Sequence, residues 1–152
     1  MREILFRGKA INRDKGYHKT EYQNGEWVYG LVTRLYDERF ENLPAEMTNT
    51  SGISGIEVDY KTVGQYTGLA DRNGKKIFEG DIVKCSDENN DIYFEAVVEF
   101  GNPNGRYDWG YQLKRIIGDN ANTDILLWVD MEESGAFIEV IGNIYDNLEL
   151  LK

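Results

Sequence analysis

Glu79 and Asp81 flank Gly80 in the run "IFEGDIV". On an extended strand, side chains at i and i+2 project from one face, so this pair has the spacing for acid/base work or for one edge of a metal site. No histidine or third acidic ligand accompanies it, which favours a reading as turn and surface carboxylates. Asp87, Asn89 and Asp91 in "DENND" match the first three ligand positions of a calcium loop. Ile92 then stands where that loop needs glycine and Val98 where it needs the closing glutamate, so a polar hairpin loop is the better reading. His18 is the only histidine and has no serine or cysteine context, and Cys85 follows an apolar strand as a small buried hydrophobe would. No Walker-type loop, dinucleotide fingerprint or zinc spacing occurs. With no nucleophile, base and oxyanion donors assembled, a non-enzymatic protein without a cofactor is expected.

Binding chemistry has more candidates. In the run "VGQYTGLADRNGKKIFEGDIV", Val63 to Val83, Gln65 and Thr67 fall on one side of a regular strand and Tyr66 on the other. No turn or core requirement visible in the sequence accounts for that polar pair, so it competes as a binding surface with an ordinary solvated face. Asp71 and Asp81 are each placed to accept backbone amides at a bend. Gln65, Thr67, Asp71, Glu79 and Asp81 are therefore the candidate binding residues, and no catalytic or metal-ligating residue is assigned. Arg106, Tyr107, Trp109 and Tyr111 resemble a base-stacking platform, but acidic surroundings oppose a phosphate chain.

The elements that hold these residues read as short strands. Asn73-Gly74 predicts a type I′ hairpin, and Glu79-Gly80-Asp81 a second bend leading into "IVKC". Arg2 to Lys9 reads as an opening strand with Ile4 and Phe6 on one face. Trp27 to Val32 is apolar on both faces, which predicts a central strand covered on both sides, with Tyr17 to Gln23 paired to it through Asn24-Gly25. Tyr36 to Ser54 loses alternation and reads as a long loop with at most one helical turn. Ile56, Val58 and Tyr60 restore a short strand, and Asp91–Phe100 forms a long one paired through Gly101–Gly105 to "YDWGYQLK". "DILLWVD" and "AFIEVIGNIY" add two more, and Asp146 or Asn147 caps a last helical turn carrying Leu148, Leu150 and Leu151. The expected fold is mainly β, antiparallel short strands forming a partly open barrel or paired small sheets, with little helix.

Composition agrees. The 152 residues suffice for one domain, or two small lobes sharing a core, and ten Tyr, six Phe, three Trp and sixteen Gly suit strands and tight turns. One cysteine excludes an internal disulfide and fits a reducing compartment. The opening apolar run of three residues lacks the form of a signal peptide, and no stretch has the length of a membrane span, so a cytoplasmic protein is expected. Charge is uneven: residues 1–76 carry 12 basic and 11 acidic side chains, residues 77–152 carry 5 and 16. This makes nucleic acid an unlikely partner and allows head-to-tail attraction between subunits.

"REILFRGK", "GEWVYG" (Gly25–Gly30), the Val63–Val83 run and "EVIGNIYDNLELL" (Glu139–Leu151) together resemble, in order and spacing, the YopX-like family of bacteriophage and prophage proteins. Such proteins usually carry proline where Leu148 stands here. The resemblance covers essentially the whole chain. It implies a mostly β fold, an origin in phages or prophages of Gram-positive hosts, and homo-oligomers; a phage or host protein in the bacterial cytoplasm is a further possible partner. It implies no known activity, so no catalytic residue carries over.

Overall fold

The structure, a computed structural model, describes residues 3–11, 22–35, 44–86, 92–101, 110–116, 122–126 and 137–151. The chain divides into two compact units, Met1–Tyr66 and Thr67–Lys152.

The first unit is built from β1 (Phe6–Ala10), β2 (Trp27–Arg34), β3 (Ala45–Asn49) and the first part of β4 (Ile56–Ala70). Each pairs antiparallel with the next, and β1 also pairs with β4, so the sheet closes into a ring. Ala10, Val28, Ala45, Met47, Ile56 and Val58 fill its interior. Gly8 faces the same core: a Cβ there would lie 3.1 Å from Val58 and 3.2 Å from Met47. Closure needs a bend in β4, and the register supplies it: Arg7 opposes Gly64 while Lys9 opposes Asp59, leaving 60–63 as a bulge. The buried Thr62 hydroxyl fills that bulge, accepting from the Lys9 amide at 2.8 Å and donating to the Asp59 carbonyl at 2.7 Å.

Several expectations change in this unit. β1 begins at Phe6, which is partly buried against the ring core, while Ile4 lies outside the strand and is exposed. β2 is not covered on both sides: Val28 and Gly30 are buried, and Tyr29 and Leu31 point outward. A ring of four short strands has one interior, so only one face of an apolar strand can be buried. Of the strand expected over Tyr17 to Gln23, residues 17–21 lie outside the described residues and Tyr22 and Gln23 are not in a strand. β1 takes that place beside β2, with Gly25 donating to the Ala10 carbonyl and Ala10 to the Glu26 carbonyl, both at 2.8 Å. In the expected long loop, residues 36–43 lie outside the described residues, but Ala45–Asn49 forms β3 because Ala45 and Met47 alternate into the ring.

The second unit holds the end of β4 with β5 (Lys76–Phe78), and an open antiparallel sheet. That sheet comprises β6 (Asp81–Ser86), β7 (Ile92–Gly101), β8 (Gly110–Arg115), β9 (Asn122–Asp124) and β10 (Phe137–Asn143), in the order β10-β6-β7-β8-β9. Ile77, Val83, Cys85, Phe94, Ala96, Val98, Leu113, Ile125 and Ile138 form its buried cluster. The alternate β6 residue Ile82 opposes Val97 and both are buried, so β6 has cover on both faces. The strand expected over "DILLWVD" ends at Asp124: Ile125 drops into the core from a turn, and 127–130 lie outside the described residues. The chain ends in a 3-10 turn, Leu148–Leu151, none of whose leucines is buried. Asn147 caps it through its carbonyl, which accepts from Leu150, while its side-chain Oδ1 turns back to the Asn143 amide at 3.1 Å. A Cβ on Gly142 would lie 2.6 Å from that oxygen, which leaves room only for glycine.

Candidate functional site

The glycine-punctuated run supplies four of its five candidates from the second unit. The Gly74 amide donates to the Asp71 carbonyl at 2.9 Å and the Asp71 amide to the Lys75 carbonyl at 2.8 Å. Arg72 and Asn73 are thus the central residues of the turn, with Gly74 following at φ 80°. This is the three-residue loop with a left-handed glycine, rather than the expected two-residue type I′ turn centred on Asn73-Gly74. The buried Asp71 carboxylate explains the choice. Its Oδ1 accepts from the amides of Asn73 and Lys75, each at 2.9 Å, and its Oδ2 accepts from the Val140 amide at 3.0 Å.

At the second bend Gly80 sits at φ 83°, its amide donating to Val98 and its carbonyl accepting from Ile144. The side chains of Ile144 and Tyr145 crowd it, with a ring carbon of Tyr145 3.2 Å from where a Cβ would stand. Asp81, buried, accepts from the Phe78 amide through Oδ2 at 2.8 Å. Glu79 is half-buried in the turn, so the two carboxylates do not stand side by side on one strand face as an exposed pair. Among the described residues, no group of three or more His, Cys, Asp or Glu is placed to hold a metal ion.

Thr67 is 2% exposed, its hydroxyl donating to the Ile77 carbonyl at 2.8 Å and accepting from the Leu69 amide at 3.2 Å. A structural requirement therefore does account for it. Gln65, half-buried, lies opposite Phe6 in the ring. Burial pushes the Cys85 thiol up to about 12, against the opposing charge of Arg115, and a thiol so protonated at neutral pH is no nucleophile. His18, Asp87, Asn89, Asp91, Arg106, Tyr107 and Trp109 lie outside the described residues. Tyr111 meets the exposed Phe100 ring edge-to-face, centroids 5.1 Å apart.

What alternation concealed is the outer face of β2. Tyr29 is 40% and Leu31 51% exposed, two large apolar side chains on one face of a paired strand. Directly opposite residues share a face, which sets Tyr29 beside Arg7, Trp27 beside Lys9 and Leu31 beside Thr48. The Trp27 ring is fixed by cations: the Arg7 guanidinium lies 4.4 Å and the Lys9 ammonium 4.8 Å from its centroid. The Thr48 hydroxyl reaches the Ser54 hydroxyl at 3.3 Å, bringing the loop after β3 along the same face. The sign of this surface in the sequence is the doubling itself. A strand apolar on both faces, set in a ring with one interior, presents one of them.

No curated protein matches the chain. Among solved structures it is similar to protein EF1440 from Enterococcus faecalis, with 25% identity over 99% of each chain and a TM-score of 0.45. The family model described as YopX protein matches residues 6–152, and the chain belongs to that family.

Proposed function

We infer that this chain is a non-enzymatic β module that binds protein, a second copy of itself included, through the outer face of β2. The observation that carries this reading is the exposure of Tyr29 and Leu31 side by side on a strand whose other face turns Val28 and Gly30 into the ring. Aromatic and aliphatic side chains held on a rigid strand give contact area at small entropic cost. The cations beside them are stacked on Trp27, which stiffens the face rather than freeing charge. A role as an accessory protein of a phage or prophage, acting in the cytoplasm of the bacterial host, accompanies this reading. Hydrolase or nuclease chemistry through Glu79 and Asp81 gains no support, since Asp81 is buried on a backbone amide.

Light scattering at micromolar concentration tests the reading. The wild-type mass should exceed that of one chain and fall toward it in Tyr29→Ser/Leu31→Ser. A strictly monomeric wild type, or a double variant that keeps the wild-type mass, defeats it.

A further inference from the structure

Among the described residues β10 is the edge strand of its sheet: β6 lies on one side and no described strand of the sheet on the other. Its residues Ile138 and Val140 oppose Cys85 and Val83, and one outward backbone group of each is satisfied by a turn. The Arg72 amide donates to the Ile138 carbonyl at 3.0 Å, and the Val140 amide donates to Asp71 Oδ2 at 3.0 Å. These are the two bonds a neighbouring strand would make, with a carboxylate oxygen standing in for one main-chain carbonyl. The Arg72 guanidinium lies 4.2 Å over the Phe137 ring and extends the contact by one residue. Left unguarded, a sheet edge carrying apolar residues such as those of "FIEVI" pairs readily with other chains.

We propose that the Asp71–Arg72 turn is an intramolecular guard of the β10 edge, and that displacing it lets β10 pair edge-to-edge with β10 of a second copy. The guard is a single clasp because one carboxylate serves both sides: Oδ1 holds the turn together and Oδ2 holds the turn to the strand. β10 can use the same outward groups on a second copy, since Ile138 offers a carbonyl and Val140 an amide on that side. Antiparallel pairing about a two-fold axis satisfies both sets at once.

Two variants separate the clasp from the turn. Asp71→Asn keeps an oxygen for the Asn73 and Lys75 amides but presents an amide group to the Val140 N–H, donor against donor. Arg72→Pro keeps the turn, because its first central position accepts proline, and deletes the N–H that Ile138 receives. Both are made in the Tyr29→Ser/Leu31→Ser background, so that a change in mass cannot come from the β2 face. Hydrogen exchange at the Val140 amide should quicken by about tenfold or more. The light-scattering mass should then rise with protein concentration in both variants and stay flat in the background protein. If Asp71→Asn fails to fold, Arg72→Pro decides alone. Faster Val140 exchange with an unchanged mass, or unchanged exchange, overturns the proposal.

Discussion

Tyr29 and Leu31, large and apolar, are exposed on β2, whereas the carboxyl side chains of Asp71 and Asp81 are buried. Each region inverts the ordinary rule, and the two inversions mean different things. A buried carboxylate is costly unless backbone amides satisfy it, and Asp71 accepts three of them while Asp81 receives that of Phe78. Such groups shape the chain. An exposed apolar pair on a paired strand instead presents contact area at the surface. The stretch richest in polar side chains buries Thr67, Asp71 and Asp81, and the plainest apolar strand exposes Tyr29 and Leu31.

The comparison breaks most readily at glycine. Gly30 lies against β3, and a Cβ there would stand 1.9 Å from the Thr48 carbonyl oxygen and 2.8 Å from Asn49. Gly30→Val should therefore separate β2 from β3 and cost about 3 kcal/mol or more in urea denaturation. A loss smaller than that of Gly74→Val would mean the ring is looser than described. Asp81→Ala comes next. It strands the buried Phe78 amide and should cost about 2 kcal/mol by the same measurement. A neutral result would free Asp81 for a role other than scaffold. Gly74→Val meets no atom within 4 Å, so only its φ of 80° is strained, and the expected loss is about 1 to 2 kcal/mol.

How far these features are legible in the sequence depends on the range of the interaction. Gly74 at positive φ, the bend at Gly80, the Asp81 and Asp71 turn bonds and the strands β6 and β7 all follow from neighbours within a few residues. Local chemistry determines them, and alternation with turn residues reveals local chemistry. Asp71's bond to Val140 spans 69 residues and is invisible at that range. It also helps decide the turn, since the side chain that holds Asn73 and Lys75 is itself held by β10. Thr67 looks like an unexplained polar residue until Ile77 is set beside it by the hairpin. β3 reads as loop because its pattern is two apolar residues, Ala45 and Met47, among loop-forming neighbours; only ring closure gives them a core. For β2 the pattern shows that both faces are apolar without showing which is inside. That is decided by ring closure, which turns Val28 and Gly30 inward.

The smallest expected effect on stability belongs to the surface itself. Tyr29→Ser/Leu31→Ser removes side chains that the ring core does not use, and such changes usually stay within about 0.5 kcal/mol. The central claim is that scaffold and contact surface are separate, and thermal unfolding read together with light-scattering mass tests it most directly on two variants. Asp81→Ala should lower the melting temperature by several degrees and keep the wild-type mass below its transition. Tyr29→Ser/Leu31→Ser should keep the melting temperature of the folded monomer and lose the mass. The account is contradicted if the double serine variant unfolds at a much lower temperature, or if Asp81→Ala disassembles the protein while leaving its fold as stable as before.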